Sequence, residues 1–297
     1  GLNMRRRTIL KGAAGALSLG LITPATASTV ITDTESGNSG PYNFVLVHGT
    51  WHGGWVWSQV ATLLRTEGHN VITPTCTGCG DRVHLSTPEV GLETHITDIE
   101  NSINWAEMDS VVLVGHSFSG LTITGVADRL KDRIQQIVFF DAIVPRPGRM
   151  SGVVKDSKTG EYPTWWQERE KKFIDGHKMV LWEDYPIEML VPTSYSNQKS
   201  RLKKLITTHP AKQWTDELML KNGGWEGLHR AFIHCAGQRY RLTSENMIGP
   251  ARGSGWNFIS LNIPRDGMLT HPELVTSQLI KLAESQFQGG PTETALS

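Results

Sequence analysis

Residues 111–121 read Val111-Val112-Leu113-Val114-Gly115-His116-Ser117-Phe118-Ser119-Gly120-Leu121, and this stretch decides the fold. Four consecutive apolar residues predict a strand with no polar face, the pattern of a strand covered on both sides. A Gly-x-Ser turn ends the run, and a helix-compatible segment starts at once. A strand that turns this sharply into a helix exposes the serine oxygen at the top of a sheet, so Ser117 is the candidate nucleophile. The plainer alternative is a strand–turn–helix link with an incidental serine. Glycine is the usual residue two places after such a serine; here Ser119 stands there and Gly120 follows. A side chain that small still lets the helix pass close to the strand.

The same alternation runs outward in both directions. Strands are predicted over Asn43–Val47, Val71–Pro74, Ser110–Val114, Ile137–Phe140, Ala231–Cys235 and Trp256–Leu261. Helices are predicted over Trp57–Glu67, Leu92–Trp105, Ser119–Leu130 and Glu273–Phe287. Continuous apolar strands, each followed by a helix, imply an α/β protein with a buried, mostly parallel sheet. Between Asp141 and Arg230 no strand is predicted. That interval carries Trp165, Trp166, Trp182, Trp214 and Trp225, with charged helical stretches, and reads as a helical cap over the strand ends. Its tryptophans either line a pocket or pack the cap on the core; Trp165 and Trp166 are the candidates for substrate contact.

A second signal is FVLVHGTWHGGWVW, residues 44–57. A strand ending in His-Gly brings a backbone N–H beside the serine turn. The N–H groups of Thr50 and Phe118 are then candidate oxyanion donors. His48 is expected to brace this loop. His52 is either architectural or, with Trp51, a ligand contact.

On these residues the chain resembles the α/β-hydrolase fold from about Tyr42 to Phe287. FVLVHGTWHGGWVW is similar to the branch of plant methylesterases, hydroxynitrile lyases and their bacterial esterase relatives, and TPTCTGCGDRVHL (73–85) and VGLETHITDIENSINW (90–105) look like its bacterial members. The resemblance implies an α/β-hydrolase domain over 42–287 with a cap at about 145–229, a lead-in at 28–41 and a tail at 288–297. It also implies an acid and a histidine after the serine. Asp141, in Phe139-Phe140-Asp141-Ala142, occupies one usual acid slot and resembles that of haloalkane dehalogenases; its alternative role is a turn cap. The other slot, Phe232-Ile233-His234-Cys235-Ala236-Gly237-Gln238, holds no carboxylate.

The histidine slot departs from the pattern. Where relatives read Gly-His-Asp-Ala-Met or similar, this chain reads Pro264-Arg265-Asp266-Gly267-Met268. Arginine, with a pKa above about 12, is no general base near neutral pH. His271 follows six residues later, either brought in by loop rearrangement or capping the last helix before Pro272. Three readings stay open: a serine hydrolase of a small apolar or aromatic ester or lactone, with His271 or another histidine as base; a lyase or isomerase using the oxyanion donors and Arg265; and a catalytically silent ligand-binding protein.

The 297 residues are 38% hydrophobic and hold 29 Lys+Arg against 29 Asp+Glu, with 3 Cys. This excludes a disulfide-rich scaffold and a disordered chain. The neutrality is uneven. Met4–Ala27 carries Arg5, Arg6, Arg7 and Lys11 with no acid, then an Ala/Gly/Leu run and Ala25-Thr26-Ala27. That reads as an export leader at 1–27. Arg5-Arg6-Arg7-Thr8-Ile9-Leu10-Lys11 resembles the twin-arginine signal, which implies the export machinery as a transient partner and a periplasmic or secreted protein. The run falls short of the roughly 18–20 apolar residues that span a bilayer. Without 1–27 the balance becomes 25 Lys+Arg against 29 Asp+Glu. Cys76-x-x-Cys79 is either a pair of small loop residues or a local disulfide; with no second C-x-x-C and no adjacent histidine pair, no zinc site is predicted. No phosphate loop, dinucleotide motif or basic stripe is present, so no cofactor and no nucleic acid is expected.

Overall fold

The computed structural model describes residues 40–237 and 249–285, together with the backbone of Thr294–Ala295. The expected leader, most of the lead-in, the end of the last helix and nearly all of the tail lie outside the described residues. Among the described residues no helix is long and apolar enough to cross a membrane.

The apolar runs form the strands of one parallel sheet. These are β1 (Asn43–Val47), β2 (Asn70–Ile72), β3 (Val111–His116), β4 (Ile134–Phe140), β7 (His229–Cys235) and β8 (Asn257–Leu261), in spatial order β2-β1-β3-β4-β7-β8. The two-residue β9 (Thr294–Ala295) pairs outside β8. Every residue of β3 is buried, as the unbroken Val-Val-Leu-Val run requires. Phe44, Phe139, Phe140 and Phe232 fill the core on neighbouring strands, each such side chain contributing about 1.5–3 kcal/mol.

Helix α1 (Ser58–Thr66) packs against the closing helix Pro272–Ser285, and α2 (Leu92–Trp105) packs against α3 (Ser119–Arg129), so that helix pairs flank the sheet. In α2 the buried residues Leu92, Ile96, Ile99 and Ile103 recur at helical spacing. The Thr94 hydroxyl oxygen accepts from Gly91 N–H at the N-terminus of α2.

The strand register places the site. Val47 lies beside Gly115, Gly115 beside Phe139, and Phe140 beside Ile233. The carboxyl ends of β1, β3, β4 and β7 therefore share one edge of the sheet, where ligands of open α/β sheets bind.

Above that edge lies the segment between β4 and β7. It contains helices α4 (Thr164–Glu170), α5 (Ser196–Leu205) and α6 (Lys212–Thr215). It is not strand-free: β5 (Lys178–Met179) and β6 (His209–Pro210) pair antiparallel, and β7 starts at His229. Two residues per strand are too few to show a period of two, which is why the sequence conceals them. The expected strand Val71–Pro74 is shorter and starts earlier, at Asn70, and a 3-10 turn (Gly54–Trp57) precedes α1.

Candidate active site

The serine turn is tight and strained. Ser117 has φ 59°, in the left-handed region that costs an L-residue about 1–2 kcal/mol. It is held by its neighbours: Ser117 N–H donates to Phe140 O at 3.3 Å, and Ile143 N–H donates to Ser117 O at 2.9 Å. Two glycines make the close approaches workable. A Cβ on Gly49 would meet Ser117 Cβ at 2.9 Å, and one on Gly120 would meet Ile143 O at 1.8 Å. Ser119, in the place usually held by glycine, turns its hydroxyl back to His116 O at 2.7 Å. The departure is absorbed by one local hydrogen bond.

Arg265, in the loop after β8, reaches into this turn. Its Nη2 donates to Ser117 Oγ at 2.8 Å and its Nη1 to Asp141 Oδ2 at 2.6 Å. Arg265 and Asp141 are both buried, and Asp141 also accepts from Cys235 N–H at 3.3 Å. Serine, guanidinium and carboxylate thus form one continuous line. Burial opposes the guanidinium charge, but Tyr185, Asp141, Cys235 and Asp266 outweigh it and hold Arg265 protonated, its pKa raised. A planar fork that binds two oxygens at once is what arginine does and lysine does not.

The histidines take other roles. His52 points Nδ1 at Thr50 O (2.6 Å) and Nε2 at Asp266 Oδ2 (2.7 Å). Burial disfavours its charge, yet the Asp266 carboxylate, its hydrogen bond and Thr50 O raise the pKa. Acceptors on both nitrogens favour the protonated ring. Asp266 is correspondingly held low: burial pushes it up, and His52 overcomes that. His116 is neutral, pushed down to about 3 by burial; its Nε2–H donates to Arg265 O at 3.2 Å, and Nδ1 has no partner among the described residues. His48 braces the loop as expected, donating to Gly49 O at 2.9 Å and accepting from Cys76 N–H at 3.0 Å. His271 is not brought to Ser117. Its ring meets Thr270 Oγ1 at 2.8 Å and Tyr195 Oη at 3.4 Å, and its carbonyl accepts from Val275 N–H in the closing helix.

Over Ser117 and Arg265 sits a cavity of about 20 Å³. Thr50, Trp51, His52 and Phe118 line it, and the segment between β4 and β7 adds Trp182, Tyr185, Leu190 and Trp214. Trp214 stacks on Phe118 with ring centroids 3.4 Å apart and donates from Nε1 to Thr50 Oγ1 at 2.9 Å. Trp51 meets Trp182 edge-on at 5.1 Å.

Trp165 and Trp166 are not among the residues lining this cavity, which corrects the expectation for both. Trp166 is fully buried behind Trp214, stacked at 5.8 Å, and donates to Glu170 Oε1. Trp165, its neighbour on α4, points the other way into a separate groove of about 310 Å³ shared with Arg169, Phe173 and Trp182. Adjacent helical residues face different directions, so an aromatic pair cannot both line one pocket wall. Trp182 and Tyr185 lie in an irregular segment whose sequence carries no period to place them. All three cysteines are free and buried.

The model of the alpha/beta hydrolase family matches residues 44–253. The chain belongs to the alpha/beta hydrolase family. Within it, this chain is 56% identical over 249 residues to a carbendazim hydrolyzing esterase of Nocardioides sp. (strain SG-4G), covering 81% of this chain and 99% of that protein. Methylesterase 2 of Arabidopsis thaliana is 34% identical over 211 residues, 65% of this chain and 77% of the plant protein. In fold the chain is similar to an extracellular alpha/beta-hydrolase from a Paenibacillus species, with a TM-score of 0.66 at 23% identity over 82% of this chain and 99% of the other. A hydrolase with esterase relatives is what the family and these likenesses establish.

Proposed function

We propose that the protein is an exported serine hydrolase that cleaves an ester or lactone of a small aromatic compound, with Ser117 as nucleophile. The observation that carries this is the line Ser117–Arg265–Asp141 at 2.8 and 2.6 Å. It sits at the strained turn where such a nucleophile is exposed. The 56% likeness to a hydrolyzing esterase over nearly its whole length supports the reading. So does the aromatic wall of Trp51, Phe118, Trp182, Tyr185 and Trp214 over Ser117, which would face a flat apolar ring once the wall opens to admit it.

The chemistry rests on what a guanidinium can do. It has no lone pair, so Arg265 takes no proton from Ser117. Its charge instead favours the serine alkoxide and the negative oxygen that develops as Oγ adds to the carbonyl. The N–H groups of Thr50 and Phe118 hold that oxygen. The Oγ–C bond forms, the ester C–O bond breaks, and the serine proton ends on the leaving alcohol. Water then cleaves the acyl-serine and returns a proton to Oγ. Ser117 Oγ accepts from Arg265 Nη2 and has no imidazole as hydrogen-bond partner among the described residues, so no imidazole is placed to serve as base. The rate is expected to climb with pH and to show no break between about pH 6 and 7, the range where an ordinary histidine titrates.

The test is turnover of a panel of aryl esters by the purified chain. Ser117→Ala should abolish it. Arg265→His should raise kcat/KM by about 10²–10⁴-fold, the usual contribution of a general base, since it places an imidazole between Ser117 and Asp141. Unchanged turnover in Ser117→Ala would overturn the proposal. One observation favours a second reading: a fixed buried cation donating to the serine is also a site for an enolate or carboxylate, as a lyase or isomerase needs. In that case turnover of a carbon acid survives Ser117→Ala and is lost in Arg265→His. The export part rests on Arg5–Lys11. Replacing Arg6 and Arg7 by lysine should leave the full-length chain in the cytoplasm of a bacterial host; undiminished periplasmic protein would refute it.

A further inference from the structure

The Cys76-x-x-Cys79 segment takes no part in the chemistry above, and the fold gives it partners that the sequence does not. Cys79 Sγ lies 3.5 Å from His209 Nδ1 and 3.9 Å from His95 Nε2. All three residues are buried, and their donor atoms lie within 4.8 Å of one another. They come from three separate places: the loop after β2, helix α2, and strand β6 between β4 and β7. A tetrahedral zinc ion, with Zn–S about 2.3 Å and Zn–N about 2.0–2.1 Å, spaces its sulfur and nitrogen ligands about 3.5 Å apart. The donors therefore stand close to ligand spacing already.

Orientation supports the same reading. His209 Nε2–H donates to Gln213 Oε1 at 3.1 Å, which fixes the tautomer and leaves Nδ1 as the acceptor, facing Cys79 Sγ at 3.5 Å and Trp51 N–H at 3.4 Å. Such an outer hydrogen bond is the usual support of a metal-bound histidine. Thr77 O, 2.9 Å from His95 Nε2 and 3.8 Å from Cys79 Sγ, faces the same centre. Asp98 stands beside it, sharing a second group with Cys76 and His95, its carboxylate held by Thr77 N–H at 2.6 Å. One carboxylate and one thiolate would balance a divalent charge.

We infer that Cys79, His95 and His209 bind one Zn²⁺ ion, with the Thr77 carbonyl at the fourth position. On binding, the Cys79 S–H proton passes to solvent as the S–Zn bond forms. The His95 ring proton moves to Nδ1, and its contact with Thr77 O is replaced by bonds from both atoms to the metal. The ion would pin the β6 segment, which leads into Trp214, to the loop after β2 and to α2. His209 Nδ1 would give to the ion the lone pair that now accepts from Trp51 N–H at 3.4 Å, so metal binding releases that backbone contact.

The test uses the whole chain, stripped with a chelator, equilibrated with Zn²⁺ and desalted. The expected result is one zinc per chain in the wild type and in Cys76→Ser, and none in Cys79→Ser. Co²⁺ in place of Zn²⁺ should give a thiolate-to-cobalt charge-transfer band in the same two proteins. Far-ultraviolet circular dichroism of the stripped proteins checks that Cys79→Ser is folded; should it not be, His209→Gln replaces it, and loss of the zinc is again expected. Wild-type protein without stoichiometric zinc, or a charge-transfer band that survives Cys79→Ser and disappears in Cys76→Ser, would overturn the inference.

Discussion

Arg265 is the residue on which the site turns. Its charge, buried beside Asp141, makes it structural as well as chemical. Removing one partner of a buried pair leaves the other charge uncompensated, at about 3–5 kcal/mol. Arg265→Leu should therefore lower the unfolding free energy, read from urea melts, by that amount, whereas Arg265→His, which retains a hydrogen-bonding partner for Asp141, should lower it less. The neighbouring pair His52–Asp266 ties stability to pH from both sides. Asp266, its pKa depressed, contributes stability that is present above about 3.9, the unfolded value, and is lost as pH falls through the folded pKa. His52, its pKa raised, contributes stability that is complete below about 6.5 and is lost as pH rises through its folded pKa. Melting temperature should peak between those limits, and Asp266→Asn should flatten both flanks of the profile. Arg265 could be read from spacing alone, because it stands in a recognisable slot. The His52–Asp266 pair could not. Its members are 214 positions apart, and only the closing of the sheet brings them to 2.7 Å.

At the scale of elements, the serine turn carries the clearest signal and the tightest packing. The strand β3, the turn and α3 were legible because an apolar run, a Gly-x-Ser and a helix follow one another without a gap. The shape of the turn depends on Gly120. Gly120→Ala would set a methyl 1.8 Å from Ile143 O, against backbone that cannot swing aside. Overpacking of this kind costs about 1–3 kcal/mol, and α3 must shift, carrying Phe118 N–H with it. Lower stability together with a fall in kcat is the expected result, read by denaturant melts and aryl-ester turnover. The short strands β5 and β6 had no comparable signature. Their pairing comes from the tertiary path of the segment between β4 and β7, and no local pattern could announce it.

At the scale of the molecule, aromatic rings join that segment to the sheet below. Trp214 stacks between Phe118 and Trp166, and its N–H holds Thr50. Asp216, two residues on, accepts from Leu92 N–H at the start of α2. Trp214→Ala should cost about 3–5 kcal/mol, as truncation of a buried large aromatic does. That the interval is a long, tryptophan-rich insertion was legible from its length and composition, whereas which tryptophan faces Ser117 was settled by irregular backbone. The stack has an optical consequence. A cavity of about 20 Å³ cannot admit an aromatic ring unless Trp182, Tyr185 or Trp214 moves. Trp51, Trp182 and Trp214 lie at centroid distances of 5.1 to 6.4 Å from one another, so any such movement changes how these indoles exchange excitation and quench. The protein therefore carries its own stopwatch. Its intrinsic emission, followed in a rapid-mixing instrument, should time the entry of a ligand without any added dye.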